Sequence, residues 1–180
     1  MKGLLRLSQL VDALNERIGK VAAWFGLFAV IVCTVNAIAR YSVNASSNAW
    51  LEVQWYFNAV VFMLVAAWAL KRNDHVRIDV FFGRLPQRAQ AWIDIVGGLV
   101  ALLPVSLIIA WYSWPSLVSS YEISEYSSDP GGLIRWPMRL LVPVAFTLLA
   151  LQGVSEIIKR AAFLKGLIPY PAGHHRQEPA

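Results

Sequence analysis

The sequence predicts an all-α membrane protein of one domain, in which four transmembrane helices follow an N-terminal amphipathic interfacial helix and both termini lie in the cytoplasm. Hydrophobic residues make up 57% of its 180 residues and charged residues only 15%, whereas a soluble domain has about 25% charged residues. The apolar residues gather in four runs of roughly bilayer-spanning length. Lysine and arginine concentrate on one side of those runs.

The first element is predicted to be an amphipathic helix over residues 3–18, lying on the cytoplasmic interface. Its apolar residues recur at spacings of three and four, which places them on one stripe of a helix: Leu4, Leu7, Val11, Leu14 and Ile18. Two alternatives remain, namely a solvated extension of the first span and a stripe that rests against a partner subunit. The uncharged run that follows is too long for the apolar part of a signal peptide.

The first two spans are predicted over residues 19–40 and 50–70. Between Lys20 and Arg40 lie 19 uncharged residues, and residues 53–70 give 18 more. About 20 apolar residues cross a bilayer as a helix. Serine and asparagine residues between the two runs indicate an outer turn, and residues 71–91 are predicted to form a cytoplasmic loop.

The last two spans are predicted over residues 92–114 and 137–158. Residues 95–121 are uncharged, which is more than one crossing requires, so the chain is expected to leave the membrane before this run ends. Pro104 is expected to kink the third span. The fourth run has only 16 uncharged residues, 140–155, and must extend into its flanks. Residues 115–136 are predicted as an outer loop and 159–180 as a cytoplasmic tail.

The distribution of cations predicts the orientation. Of the 16 lysine and arginine residues, 13 precede span one, lie between spans two and three or follow span four. Cytoplasmic loops carry such an excess, so both termini are predicted to lie inside. All eight tryptophans can be placed near span ends, as expected for aromatic belts. Because the cations flank apolar runs, we expect no nucleic-acid partner.

The predicted spans carry little chemistry. Their central turns hold no charged residue, and all three histidines fall in a loop or in the tail. A carrier core or proton pump keeps ionisable residues inside its spans, and a membrane haem site needs histidine ligands there. No zinc motif or phosphate-binding glycine loop occurs. We therefore expect no catalytic residue, no cofactor and no metal, and an accessory subunit instead of an enzyme.

Four residues in the outer half of span two are candidates for a partner interface: Glu52, Gln54, Trp55 and Asn58. Glu52 and Trp55 share a helical face. Glu52 is interpreted either as an anchor for a neighbouring helix or as a headgroup-level carboxylate facing Arg40. Asn58 is interpreted as a hydrogen-bonding contact between helices, worth about 0.6 kcal/mol on average.

Four strings occur in order on this layout: Glu52 to Trp55 opening span two, HVRIDV with His75, Arg77 and Asp79, SSDPGGL with Asp129, Gly131 and Gly132, and LLALQG with Gln152 in span four. With the four-span layout they resemble the DctQ-type small membrane subunit of tripartite ATP-independent periplasmic (TRAP) transporters. The resemblance covers nearly the whole chain. That family often has a second acidic residue near the first in span two, where this chain has Val53 or Gln54.

The resemblance implies that the chain binds partner proteins and does not catalyse a reaction. A DctQ-type subunit is a multi-pass protein of the bacterial inner membrane that binds a large DctM-type permease subunit and works with a periplasmic substrate-binding protein. In that family the large subunit holds the sodium and substrate sites, and the substrate is usually an organic acid anion. The small subunit is expected to brace the large one, and the residues quoted from the four strings are then interface candidates.

Two other functions remain open from the residues alone. A free-standing four-helix channel or carrier requires a polar stripe along a span, whereas the polar residues form only short patches near the span ends. A membrane-bound enzyme requires titratable groups that converge at one interface. Glu122, Glu125 and Asp129 form the one such outer group, and their setting is typical of a solvated turn or a docking surface.

Overall fold

The computed structural model describes residues 2–44, 47–73 and 85–170. Within these ranges the helices are α1 (Lys2–Val43), α2 (Asn48–Arg72), α3 (Gln87–Gly97), α4 (Leu103–Glu122) and α5 (Trp136–Leu164). A π-helical turn, Gly98–Leu102, joins α3 directly to α4. Four helical units are long and apolar enough to cross a membrane, namely α1, α2, the continuous α3–α4 unit and α5. The predicted all-α fold is confirmed, and four helices have the length and apolar composition expected of the four predicted spans.

Helix α1 has no break between the predicted interfacial segment 3–18 and span one. At about 1.5 Å per residue it is about 63 Å long, roughly twice the hydrocarbon thickness of a bilayer. It therefore crosses with a strong tilt or projects beyond the membrane. The predicted apolar stripe faces outward, with Leu4, Leu7 and Leu14 exposed, whereas Ser8 and Asn15 are buried. An interfacial position for this segment stays a prediction.

Helices α1 and α2 run antiparallel and pack through small and aromatic residues. Gly19 lies against Trp68, where an added Cβ would come within 2.7 Å of the Trp68 Cβ. Further along the pair, the ring of Phe57 contacts the rings of Phe25 and Phe28, with the centroids of Phe57 and Phe25 5.5 Å apart. Small residues of this kind let membrane helices approach closely.

The ends of α2 are capped by the turn residues that flank it. The hydroxyl of Ser47 accepts a hydrogen bond from the Ala49 N–H over 3.3 Å, which satisfies a donor that a helix start leaves unpaired. At the other end Asn73 adopts the left-handed conformation, with φ of 60°, and such a residue commonly ends a helix. These caps fix where α2 begins and ends.

The third span is irregular just before Pro104. Proline lacks an N–H and cannot bond to the carbonyl four residues back. The Leu103 N–H bonds to the Gly98 carbonyl, five residues back, which is π-helical spacing. Helix α4 then continues through Pro115 to Glu122, beyond the predicted end of the span at residue 114.

Helix α5 is the most buried of the membrane-spanning helices and contacts each of the other three spans. It includes residues on both sides of the short uncharged run 140–155. Gly153 makes room for the side chain of Leu102 from the π-helical turn, because a Cβ at residue 153 would overlap it. The core of the bundle therefore lies along α5.

Replacing Gly19 with alanine is expected to destabilise the bundle, because neither the new Cβ nor the Trp68 Cβ can rotate away from their contact. Overpacking of this kind costs about 1–3 kcal/mol. Gly3→Ala in the same helix is the matched control, since a Cβ there meets nothing within 4 Å. The melting temperature in detergent is predicted to fall for Gly19→Ala only. Equal melting temperatures would contradict this packing.

Candidate functional site

At the outer end of α2, the carboxylate of Glu52 holds the loop that joins α4 to α5. Glu52 is only 4% exposed. The Ser127 hydroxyl donates to Glu52 Oε1, and the Leu133 N–H donates to Glu52 Oε2 over 2.6 Å. Hydrogen bonds to an ionised carboxylate are among the stronger ones in proteins. Both carboxylate oxygens bond to the loop, so Glu52 anchors a loop instead of a neighbouring helix.

Two further bonds from α2 fix the same loop. The Tyr56 hydroxyl donates to the Ile134 carbonyl over 3.0 Å, and the side-chain amide of Asn48 donates to the Pro130 carbonyl over 3.0 Å. Three successive turns of α2 therefore each contribute one side chain that holds the loop. We call this arrangement the outer clamp, formed by three residues of α2, Asn48, Glu52 and Tyr56, with residues 127–134.

Two glycines let the loop approach α2. A Cβ at Gly132 would lie 2.7 Å from Glu52 Oε1, so a side chain there would displace the loop. Gly131 has φ of 74°, a left-handed conformation that glycine adopts without strain. The turn closes through the Gly132 N–H, which donates to the Asp129 carbonyl over 3.0 Å. The DPGG sequence thus serves the outer clamp as well as turning the chain.

The same loop is tied to α4 and α5 by Arg139. Its guanidinium pairs with Glu125 over 2.7 Å and also donates to the hydroxyl of Ser116. The Ser120 hydroxyl and the Arg139 guanidinium hold the pKa of Glu125 below its ordinary value, against partial burial that raises it. Glu125 is therefore ionised and engaged at neutral pH.

At the opposite end of the bundle, polar side chains of α1 and α5 interlock. Asn15 Nδ2 donates to Gln152 Oε1 over 2.8 Å, and Gln152 Nε2 donates to Asp12 Oδ1 over 2.9 Å. The Ser155 hydroxyl also donates to Asp12 Oδ1, over 2.8 Å, and the hydroxyls of Ser155 and Ser8 lie 2.7 Å apart. Buried polar groups require such partners, and here the two helices supply most of them to each other, although Asn15 Oδ1 makes no hydrogen bond among the described residues.

Ion pairs extend this contact to α3. Arg160 of α5 is buried and pairs with Asp94 of α3 over 2.6 Å, as well as with Glu156. Lys159 pairs with Asp12 over 3.0 Å and with Glu156. Because a buried charge is very unfavourable without a partner, each of these groups holds the others in place.

Helix α2 joins through Lys71, which pairs with Glu16 of α1 over 2.6 Å, and Glu16 also pairs with the exposed Lys20. All four spans are therefore linked at one end of the bundle. We call this set the inner network, formed by Ser8, Asp12, Asn15, Glu16, Lys20, Lys71, Asp94, Gln152, Ser155, Glu156, Lys159 and Arg160. Four of its residues are basic and four are acidic, so its formal charges balance.

In both clusters the polar side chains have a structural role. Among the residues that the structure describes, no group of three or more histidine, cysteine, aspartate or glutamate side chains is placed to hold a metal ion. The carboxylates of the inner network face lysine or arginine, and Glu52 faces hydroxyl and amide donors. These are arrangements that fix helices and loops to one another.

The predicted interface candidates fall into three places. Glu52, Asp129, Gly131 and Gly132 meet in the outer clamp, and Gln152 lies in the inner network. Trp55 and Asn58 face outward from α2, while Gln54 is half-buried. His75, Arg77 and Asp79 lie outside the described residues. Contact of any of these residues with a partner stays a prediction.

The polar face of α1 is absent from the sequence-based candidates. It was obscured by the leucine stripe on the other side of the helix. A signal for it exists: small and polar residues recur at spacings of four, three, four and three, as Ser8, Asp12, Asn15, Gly19 and Ala22. Of these, Ser8, Asn15 and Ala22 are about 1% exposed. In a membrane bundle such a pattern indicates a helix contact.

Comparison with known proteins identifies a family that matches most of the chain. A family model described as tripartite ATP-independent periplasmic transporters, DctQ component, matches residues 28–163. The matched region includes the whole outer clamp and the part of the inner network contributed by α2, α3 and α5. No curated protein matches the chain.

Replacing Glu52 with alanine is expected to release the outer loop, because the Leu133 N–H and the Ser127 hydroxyl both lose their acceptor. Amide hydrogen exchange at Leu133 and proteolysis of the loop should both accelerate. Glu122→Ala is the control, since Glu122 is an exposed acid at the start of the same loop. Equal exchange at Leu133 in the two variants would show that Glu52 does not hold the loop.

Replacing Arg160 with alanine is expected to lower the free energy of unfolding by about 3–5 kcal/mol, because it removes the buried cation that pairs with both Asp94 of α3 and Glu156 of α5. Lys20→Ala is the control. Lys20 is 61% exposed and Glu16 keeps Lys71, so a loss below about 1 kcal/mol is expected. Denaturant titration of both variants in detergent measures the difference, and similar midpoints would contradict the importance of the buried pairs.

Proposed function

The chain belongs to the DctQ family of tripartite ATP-independent periplasmic transporters, and we propose that within such a transporter it braces the large permease subunit. Membership makes it the small subunit of a TRAP transporter, and the DctQ family is a family of transport components, not of enzymes. Its four apolar helices fit a multi-pass protein of the bacterial inner membrane. In TRAP systems such a subunit associates with a DctM-type large subunit and a substrate-binding protein.

The observation that carries the bracing role is the inner network. Its side chains join all four spans, and its acids and bases pair with one another. At the other end, the outer clamp fixes the loop between α4 and α5. A subunit that supports a moving partner needs helices that are held to one another, and both clusters provide this.

Two grooves in the bundle do not favour conduction by this chain. One, of about 590 Å³, is mostly apolar, and its charged residues Asp94, Glu156 and Arg160 pair with one another. The other, of about 580 Å³, is lined mainly by apolar side chains and two tryptophans, and the hydroxyl of its Thr147 donates to the Pro143 carbonyl. A pathway for an ion requires available polar or charged groups. The free-standing channel or carrier is therefore the weaker alternative.

The alternative of a membrane-bound enzyme is also weaker, because the acidic residues of its candidate site do not form one cluster. Glu125 is engaged by Arg139, Glu122 is exposed, and Asp129 belongs to the turn of the outer clamp. These three acids therefore have separate environments and do not form one titratable group.

We assign sodium coupling and recognition of an organic acid anion to the large subunit, on the resemblance to the TRAP family. The large subunit must then move a substrate site across the bilayer while part of it stays fixed. The small subunit, by packing against the fixed part, widens it in the membrane and gives the mobile part a stationary frame. Its own spans need packing surfaces for this task and no ion ligands.

Uptake by proteoliposomes tests this role. Vesicles with the large subunit, the binding protein and this chain are expected to accumulate an organic acid anion on a sodium gradient. Vesicles that lack this chain should lose most uptake, and vesicles with this chain alone should show none. Substrate flux through the chain alone would instead support the carrier alternative.

The orientation with both termini inside is part of the same proposal. In a Cys33→Ser background, Ser124→Cys should react with a membrane-impermeant maleimide on intact spheroplasts, because the outer loop faces the periplasm. Gln87→Cys should react only after permeabilisation. Both side chains are exposed, so accessibility is decided by the side of the membrane. The reverse labelling pattern would overturn the orientation.

A further inference from the structure

One face of α2 is exposed along the bundle and combines aromatic side chains with an amide. It carries Leu51, Trp55, Asn58 and Phe62, whose spacings of four, three and four place them on one stripe of the helix. Trp55 is 62% exposed and Phe62 is 80% exposed. Asn58 is exposed as well and lies near the middle of Asn48–Arg72. We call these four residues the α2 stripe.

The side-chain amide of Asn58 makes no hydrogen bond within the described part of the chain. Lipid tails provide neither donors nor acceptors, so an amide that faces them at mid-bilayer depth is unfavourable. In membranes, polar side chains at such positions hydrogen-bond across helices. Asn58 therefore requires a partner that the described part of this chain does not supply.

Thr34 of α1 shows how a polar side chain on an exposed face avoids this problem. It is also exposed in its span, but its hydroxyl donates to the Val30 carbonyl of its own helix over 2.9 Å. An asparagine amide has two donor hydrogens and an acceptor oxygen. The neighbours Val30 and Ile31 on α1, like Leu107 and Ile108 on α4, are exposed and apolar, as a lipid-facing surface requires.

We propose that the α2 stripe is the surface on which a membrane helix of the large permease subunit docks, with Asn58 hydrogen-bonded to a polar group of that helix. Trp55 and Phe62 flank the amide one turn to either side and supply the aromatic contacts that are enriched at protein interfaces. This inference rests on the proposed function, since the bracing role provides a hetero-partner in the bilayer.

Two other occupants of the α2 stripe fit less well. A lipid tail covers aromatic rings but leaves the Asn58 amide unpaired. A second copy of this chain could pair two Asn58 side chains across a two-fold axis, but family membership already provides a different membrane partner. The docked helix of the large subunit satisfies both the amide and the rings.

Photo-crosslinking in membranes that contain the whole transporter tests the surface. A benzophenone amino acid in place of Trp55 or Phe62 is expected to give a product with the mass of this chain plus the large subunit. The same probe in place of Val30 or Ile108, which are exposed on other helices, is expected to give none. A product between two copies of this chain, or products only from the control positions, would overturn the proposal.

Substitution of Asn58 tests the hydrogen bond. Asn58→Leu is expected to reduce the amount of large subunit that co-purifies with the tagged chain by about threefold to tenfold, from the measured range for such bonds. Asn58→Gln should retain most of it, and Thr34→Val should leave it unchanged. Equal recovery with Asn58→Leu would overturn the role of the amide.

The docking surface and the bracing role can be tested separately. If the wild-type chain recovers the large subunit while the α2 stripe gives no crosslink to it, the docking surface is wrong and the bracing role stands. If the wild-type chain recovers no large subunit from membranes that contain both, the bracing role itself fails.

Discussion

Hydrocarbon offers no hydrogen-bonding partner, and this constraint determines where polar groups lie in the molecule. Polar groups in the spans must be bonded within the protein or to a partner, or must lie where water and headgroups reach them. The described structure meets the constraint by gathering its buried charges at one end of the bundle, in the inner network, and by bonding Glu52 to the loop at the other end. Between these ends the helices meet mainly through small, apolar and aromatic residues.

The two clusters have different mechanical consequences. The inner network links side chains that are far apart in sequence, so no span can leave the bundle without exposing an unpaired charge. The outer clamp holds a loop, and it depends on the close approach that Gly132 allows. In the role proposed for this subunit, the two clusters supply a frame whose helices are fixed to one another.

Hydropathy predicts the four spans because the cost of placing polar backbone or charge in hydrocarbon dominates other local preferences. It does not predict which face of a helix is buried, since lipid and protein interior are both apolar. For α1 the periodic leucines Leu4, Leu7 and Leu14 face outward, while Ser8 and Asn15 make the contact with α5. In a bilayer the small and polar face is the better guide to helix packing.

The candidate site can be predicted only in part, because residues far apart in the sequence form it. Glu52 is identifiable as an acid at a span end, but its partners lie 75 and 81 residues away in the loop, and no local pattern connects them. The role of Asp12 depends on α5 and was hidden because charged residues near a terminus resemble a solvated face. The continuous course of α1 also escapes the pattern, because charged residues and an apolar run can belong to one helix.

The bracing role requires that this subunit keep one conformation while the large subunit moves. Spin-label distance measurements in the assembled transporter test this requirement, in a Cys33→Ser background, between residues 14 and 92 near the inner network and between residues 41 and 123 near the outer clamp. All four positions are exposed. We expect the same two distance distributions without sodium, with sodium, and with sodium and the loaded binding protein. A change of several ångströms in either distribution on loading would contradict it.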